Sequence, residues 1–123
     1  MSEKQPYVTE SEYEVMKVLW SEDKKFTLAD VMAALTHKEW KRTTIATLLT
    51  RLADKGAISY ERKGNAHHYY PILKQEEYNV RETKTFLEKV YNGSVKSLVA
   101  SLYENEELSK EDIEGLKKMF DLE

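Results

Sequence analysis

The stretch from Trp40 to Gly56 constrains the fold more than any other part of the chain, because it carries two distinct faces at helical spacing. Four apolar residues recur at i, i+3, i+4 and i+7, which predicts one buried stripe on a helix. These residues are Ile45, Leu48, Leu49 and Leu52. The other face carries small, hydroxylic and basic side chains, and no acidic residue occurs from Lys41 to Ala53. Its members are Thr43, Thr44, Ala46, Thr47, Thr50 and Arg51.

A face of this composition suits the close approach of a helix to DNA. Small side chains let a helix enter a groove, while hydroxyl and guanidinium groups are good partners for phosphates and base edges. A solvated surface helix would instead favour glutamate, lysine and glutamine. The alternative interpretation is a plain amphipathic helix with a threonine-rich exterior. The choice between the two depends on what the neighbouring segments are predicted to form.

Two shorter helices are predicted before this stretch, each from a capping box at its start. Thr9 is followed by Glu12, and Thr27 is followed by Asp30, in each case three residues on. A short connection then leads into the third helix, as helix-turn-helix geometry requires. The third helix is expected to end at Gly56, a natural left-handed position.

Residues 57–62 and 67–72 are predicted to form two strands around a central Gly64–Asn65 turn. Three helices followed by a basic hairpin predict a winged helix-turn-helix, which makes residues 1–72 a DNA-binding domain. Since an isolated hairpin is marginal in water, the wing must pack on the helices. The anchors that we expect are Tyr60, Tyr70 and Ile72.

Residues 73–123 are predicted to form three further helices; Asn92–Gly93 stops the first, and Ser109 caps the last, with Asp112 three residues on. The fold class is therefore mostly α with a small antiparallel β-hairpin. Three helices over about fifty residues can hardly close a core of their own. We therefore expect their apolar stripes to face a second copy of the chain, as a helical dimerisation region. Packing back on the first lobe is the alternative. The expected interface residues are Phe86, Leu87, Val90, Tyr91, Leu98, Val99, Leu102, Ile113, Leu116 and Phe120.

The distribution of charge supports DNA binding better than the net charge of −3 does. Residues 37–69 hold seven basic and three acidic residues, whereas residues 73–123 hold eight and twelve. Positive charge is thus concentrated around the third helix and the wing, where it can straddle a groove and the flanking backbone. The cations concerned are Lys41, Arg42, Arg51, Arg62 and Lys63.

Several other classes of function find no support in the sequence. Cysteine is absent, which excludes disulfides and thiolate metal sites. No long apolar run and no secretory signal are visible, so we expect a cytoplasmic protein without membrane insertion. His67 and His68 are neighbours on a predicted strand, and their side chains point to opposite faces, so they cannot easily share a metal ion. We expect no catalytic residues, no metal site and no cofactor.

The residues resemble those of the BlaI/MecI penicillinase and methicillin-resistance repressors, with the CopY copper-responsive repressors as a related branch. The matching stretches include Trp40-x-x-x-Thr44-Ile45-x-Thr47-Leu48-Leu49-Thr50-Arg51-Leu52, Lys84-x-Phe86-Leu87-x-Lys89-Val90-Tyr91 and Glu107-Leu108-Ser109. The resemblance covers nearly the whole chain. It implies a winged-helix lobe, a helical dimerisation lobe, and a dimer that binds a palindromic operator and blocks transcription of resistance genes.

The resemblance also implies roles for individual residues. The start of the recognition helix would face bases and phosphates, through Lys41, Arg42, Thr43, Thr44, Ala46 and Thr47. Arg51, Arg62 and Lys63 would hold the DNA backbone. Family members carry basic side chains where this chain has Thr43 and Ala46, so we expect a different half-site. The cysteine-rich metal motif of the copper branch is missing.

In the β-lactam-responsive members, release follows proteolysis in the dimerisation region, and the cleaved bond aligns with Ser101–Leu102. The resemblance therefore implies a membrane metalloprotease sensor as a partner. The family has Asn-Phe at this bond, and the alternative is that both residues are simply part of a helix. A winged-helix adaptor that binds proteins without DNA is the alternative function.

Overall fold

The computed structural model describes residues 6–105 and 107–120, without the side chains of residues 116, 117, 119 and 120. The elements are α1 (Glu10–Trp20), α2 (Leu28–Ala34), a short 3-10 helix (Thr36–Lys38), α3 (Arg42–Asp54), β1 (Ile58–Lys63), β2 (Ala66–Pro71), α4 (Gln75–Tyr91), α5 (Val95–Glu104) and α6 (Lys110–Phe120). The chain divides into two compact units between Tyr78 and Asn79. The predicted fold class, a mostly helical chain with a winged helix-turn-helix and a C-terminal set of helices, is confirmed.

Both capping boxes that the sequence predicts in the first unit are confirmed. The N–H of Glu12 donates to Thr9 Oγ1 at 3.2 Å, and the N–H of Thr9 donates back to Glu12 Oε1 at 3.0 Å. The same reciprocal bonds join Thr27 and Asp30 at 3.0 and 3.1 Å. These bonds use N–H groups that the first turn of a helix leaves without partners, so they fix where α1 and α2 begin.

The apolar stripe of α3 is buried as predicted, and it forms the centre of the first unit's core. Valines of α1 and the Phe26 ring before α2 also join this core, although the sequence analysis did not single them out. The buried side chains around the stripe include Val15, Met16, Val18, Leu19, Phe26, Val31 and Leu35. Gly56 follows α3 with φ of 82°, so the predicted left-handed stop is confirmed.

The hairpin is antiparallel, with Ile58 opposite Pro71 and Lys63 opposite Ala66. Gly64 takes the positive φ of 63° that the turn between the strands requires. Phe26 and Tyr69 exchange two backbone hydrogen bonds, at 2.7 and 2.8 Å. This bridge attaches the wing to the segment before α2.

Two of the expected wing anchors are wrong. Tyr60 is 45% exposed and Ile72 is 52% exposed, so neither holds the wing on the helices. Ile58 is buried, and Tyr69 packs against the core from the same face of the hairpin. The bridge to Phe26 sets which part of β2 lies on the helices, and this long-range pairing has no signal in the hairpin's own sequence.

The first turn of α4 belongs to the first unit through an aromatic cluster. The Tyr78 ring stacks on Tyr13 with centroids 5.4 Å apart and lies 5.7 Å from Trp20. Trp20 Nε1 donates to the carbonyl of Leu73 at 2.9 Å, which satisfies the polar atom of a partly buried indole.

The second unit contains the rest of α4 together with α5 and α6. Asn92 and Gly93 end α4 with φ of 51° and 82°, as predicted. Ser94 caps α5 by accepting from the N–H of Ser97 at 3.0 Å. Ser109 and Asp112 exchange two hydrogen bonds of 3.1 Å at the start of α6, so the cap predicted there is also confirmed.

Candidate nucleic-acid interface

Helix α3 presents the predicted polar face to solvent. Thr43, Thr44, Thr47, Thr50 and Arg51 are exposed, and Ala46 is half-buried. Arg51 lies nine positions after Arg42, so the face extends for about 13 Å along the helix axis. This length is comparable to the width of a B-DNA major groove, about 12 Å.

The N-terminus of α3 differs from those of α1 and α2 because no side chain caps it. Lys41 occupies the cap position with extended backbone angles, and its side chain makes no capping hydrogen bond. The first N–H groups of a helix have no partner within the helix, and together with the helix dipole they attract an anion. A phosphate at this position would therefore meet backbone donors as well as Lys41 and Arg42.

The basic side chains of this face are available for an external partner. Within the described residues, Lys41, Arg42 and Arg51 form no salt bridge. Elsewhere in the first unit, four lysines are each paired with a glutamate, namely Lys17, Lys25, Lys38 and Lys55. Unpaired surface cations can exchange their counterions for phosphates, which is the main source of DNA affinity.

The two predicted wing cations lie on opposite faces of the hairpin, because side chains alternate along a strand. Arg62 is opposite His67, and Lys63 is opposite Ala66. The guanidinium Nε of Arg62 donates to the carbonyl of Gly64 at 3.4 Å. The wing therefore offers one arginine face and one lysine face.

The lysine face is partly neutralised by an ion pair. Lys25 Nζ lies 2.8 Å from Glu61 Oε2. The hydrogen bond from Lys25 lowers the pKa of Glu61 below its usual value, and the same bond raises the pKa of Lys25. This face of the wing is less suited to a phosphate than the face that carries Arg62.

A cleft of about 340 Å³ lies between the wing, the start of α2 and the start of α3. Its polar lining includes Thr27, Arg42, Asn65 and His67. The sequence predicts Arg42 as a DNA contact but gives no sign of the cleft, because its lining residues come from three separate segments and meet only in the folded chain.

The far end of α3 is held by an ion pair that the sequence did not reveal. Lys55 is the C-cap residue of α3, and its ammonium group bonds the Glu12 carboxylate and the carbonyl of Tyr7. Burial raises the pKa of the Glu12 carboxyl, but the hydrogen bonds from Lys55 and Thr9 outweigh this effect and lower it below its usual value. Helix α3 is thus joined to the start of α1 by a charged hydrogen bond.

The residues expected at the dimer interface differ in exposure. Phe86 and Val90 are 47% and 53% exposed, whereas Leu87 is buried. The half-buried members are Tyr91, Leu98, Val99, Leu102 and Ile113. The side chains of Leu116 and Phe120 lie outside the described residues. Ser101 and Leu102, the candidate cleavage site, are consecutive half-buried residues of α5.

Within residues 6–105 and 107–120, no three histidine or carboxylate side chains converge as metal ligands would. None of the described helices combines the length and the apolar character that crossing a membrane requires.

Comparison with known sequences gives a consistent result. The profile of the penicillinase repressor family matches residues 8–121. The methicillin resistance regulatory protein MecI of Staphylococcus aureus strain N315 is 33% identical over 121 residues, which is 97% of each chain. The penicillinase repressor of Bacillus licheniformis is 32% identical over 116 residues, which covers 94% of this chain and 91% of that protein.

Two solved structures are similar to the first part of the chain. The solution structure of the DNA-binding domain of the repressor BlaI has a TM-score of 0.55 and 32% identity, and the match covers 63% of this chain and 94% of that domain. The solution structure of monomeric Bacillus licheniformis BlaI in complex with the blaP half-operator has a TM-score of 0.52 and 33% identity. That match covers 61% of this chain and 92% of the BlaI chain.

Proposed function

Because the chain belongs to the penicillinase repressor family, we propose that it is a dimeric transcriptional repressor that binds a palindromic DNA operator. The exposed face of α3 carries this proposal. From Arg42 to Ala53 it has no acidic residue, and its cations Lys41, Arg42 and Arg51 form no salt bridge within the described chain. Unpaired cations on a stretch without carboxylates are well placed to bind phosphates.

The target genes are proposed to be of the β-lactam resistance type. Two observations support this: the relatives include a methicillin resistance regulator and a penicillinase repressor, and a similar BlaI structure contains the blaP half-operator. The half-site is proposed to differ from those of relatives, because the family resemblance implies basic side chains at the positions of Thr43 and Ala46. Arginine and lysine are the usual readers of guanine, so this chain has fewer guanine readers in that turn.

Dimerisation through residues 73–123 is part of the proposal. The apolar side chains of α4 support it, because Phe86 and Val90 are about half exposed on a helix whose remaining surface is strongly charged. Two linked winged-helix domains can engage both half-sites at once, and this bivalence raises the affinity for a palindrome far above that for one half-site.

Release by proteolysis at Ser101–Leu102, by a membrane metalloprotease sensor, completes the proposed cycle. Leu102 contributes to the apolar side of α5, so a cut there would remove α6 and part of the dimer interface. Co-expression with such a sensor and exposure to a β-lactam should yield a fragment that ends at Ser101, identified by its mass. An intact chain under these conditions would remove only this step from the proposal.

The repressor proposal is tested by measuring binding to fluorescent duplexes at several salt concentrations. One duplex carries the palindrome upstream of the protein's own operon, and the other has a random sequence. We expect tighter binding to the palindrome, and a log affinity that falls by about 0.9 per log unit of salt for each phosphate contacted. Affinity that does not change with salt, or absence of binding to both duplexes, would contradict the proposal and favour a protein-binding adaptor.

A further inference from the structure

We propose that the cleft between the wing and the start of α3 binds one phosphate of the DNA backbone, with His67 and Arg42 as its donors. This inference rests on the proposed function, since it assigns a DNA contact to a residue outside the predicted interface. Both side chains line the same cleft, although they are 25 positions apart in the sequence.

The imidazole of His67 is held by two tyrosines. It stacks on Tyr60 with ring centroids 4.1 Å apart and an interplanar angle of 13°, and the Tyr69 ring meets it nearly edge-on at 5.9 Å. The Tyr69 hydroxyl lies 3.4 Å from His67 Nδ1. These contacts fix the plane of the imidazole, so His67 is ordered before any ligand arrives, and little conformational entropy is lost when one binds.

The contact with Tyr69 allows the tautomer of His67 that carries its proton on Nε2. Burial raises the pKa of the Tyr69 phenol, with a smaller contribution from Tyr60, so this hydroxyl keeps its proton and can donate. When the phenol donates to Nδ1, the ring proton lies on Nε2. Nε2 makes no hydrogen bond within the described chain, so its N–H is free to donate to a phosphate oxygen.

Arg42 supplies the positive charge of the site. It is the first residue of α3, and its guanidinium group forms no salt bridge with the described residues. Guanidinium groups bind phosphates with two parallel hydrogen bonds, which adds directionality to the charge. Asn65 at the wing turn lines the same cleft and adds an amide donor.

The two faces of the wing differ in a way that favours the His67 side. Tyr60, Arg62 and His67 share a face that carries no carboxylate. His68 points to the other face, opposite Glu61, and it interacts electrostatically with both Glu61 and Asp30. This face is therefore less suited to a phosphate, and the two adjacent histidines are expected to differ in their effect on DNA binding.

This difference gives a matched test with the full chain and the two duplexes described above. His67→Ala should weaken binding to both duplexes by about tenfold or more, the effect of losing a hydrogen bond to a charged group. His68→Ala should change neither affinity by more than about twofold. His67→Phe keeps the stack on Tyr60 but has no N–H, so it should weaken binding as His67→Ala does, with unchanged thermal unfolding. Arg42→Ala should also lower the slope of log affinity against log salt by about 0.9, the value for one phosphate contact.

Duplexes with a single uncharged methylphosphonate then locate the contacted phosphate. At one position in each half-site the wild type should lose affinity, while the already weakened His67→Phe protein should lose little more, because both changes remove the same contact. Two results would overturn the site while leaving the repressor proposal intact. One is an equal loss of affinity for the His67 and His68 substitutions. The other is a methylphosphonate that weakens wild type and His67→Phe by the same factor at every position of the duplex. A wild-type protein that binds neither duplex would contradict the proposed function itself.

Discussion

Glu12 is 1% exposed, and its charge is balanced by Lys55, which lies 43 positions along the chain. The N–H of Thr9 donates to the same carboxylate oxygen. A buried charge is tolerated only when it is paired and hydrogen-bonded, and this one satisfies both conditions. Because Lys55 is the C-cap of α3, Glu12 both caps the start of α1 and links α1 to the end of α3.

Glu12→Gln should lower the free energy of unfolding by about 1–3 kcal/mol at neutral pH, since Lys55 then loses its counter-charge while the cap keeps an acceptor. The pKa of Glu12 is lowered in the folded chain from its ordinary value of 4.5. Its carboxylate therefore contributes stability above pH 4.5, and this contribution is lost as the pH falls through the lowered pKa. Urea unfolding at several pH values should show a weaker acid dependence for Glu12→Gln than for the wild type.

The matched control for this experiment is Glu10→Gln, which changes an exposed glutamate in the first turn of the same helix. It should cost a few tenths of a kcal/mol, the typical value for a carboxylate near a helix N-terminus. Equal losses for both variants, or an unchanged acid dependence for Glu12→Gln, would contradict the role of the Glu12–Lys55 pair.

At this scale the sequence predicts local contacts but not distant ones. The spacing of Thr9 and Glu12 was enough to predict their reciprocal hydrogen bonds, because a capping box involves residues of one helical turn. The burial of Glu12 and its pairing with Lys55 depend on how α1 packs on α3. Neither has a signature in the residues themselves.

Among the elements, α3 was predicted most completely. Its four buried residues follow the helical period, and Gly56 marks its end, so both the register and the boundary are local properties. The hairpin shows the opposite case. The Gly64–Asn65 turn identifies the two strands, but the wing's attachment depends on the backbone pairing of Phe26 with Tyr69, which brings together segments about forty residues apart.

Two positions of α3 are expected to contribute to DNA binding in different ways. Arg51→Ala should weaken binding to operator and random duplexes alike and lower the salt slope by about 0.9, because it removes one phosphate contact. Thr47→Ala should leave the salt slope unchanged. It should lower the ratio of operator affinity to random-duplex affinity by roughly fivefold, or about 1 kcal/mol. Fluorescence anisotropy with both duplexes over a range of salt concentrations measures all of these quantities.

Lys25→Ala is the control for Arg51→Ala, since it also removes one positive charge from the first unit. The Lys25 ammonium is paired with Glu61, so losing it should change DNA affinity little. If Lys25→Ala and Arg51→Ala weakened binding equally, only net charge would matter and the interface on α3 would be wrong. If Thr47→Ala weakened binding to both duplexes to the same extent, its assigned role in base recognition would fail.

For the whole molecule, sequence periodicity predicts which faces are apolar but not what covers them. Helices α4, α5 and α6 form in the segments where the capping residues and the apolar spacing of the sequence predict them. Their exposed apolar side chains include Phe86, Val90 and Tyr103, which are 47%, 53% and 51% exposed. Complete burial of an exposed apolar side chain is worth about 1.5–3 kcal/mol, so covering the exposed half of each of these would gain roughly half of that. One chain contains no direct information about its partner, and the dimer therefore stays a prediction.

The joint substitution Phe86→Glu and Val90→Glu tests this prediction, because it places two like charges in the proposed interface. Sedimentation should show a dimer for the wild type and a monomer for the variant, with unchanged helix content. Affinity for the palindrome should fall by about 100-fold or more, while affinity for a single half-site stays the same, since only bivalent binding is lost.

Thr85→Glu with Lys89→Gln is the control, because both residues are exposed on α4 and the pair also changes the net charge by −2, one from each substitution. A variant that remains dimeric would show that α4 is not the interface. Equal losses on palindrome and half-site would mean that the two domains do not bind cooperatively through a dimer.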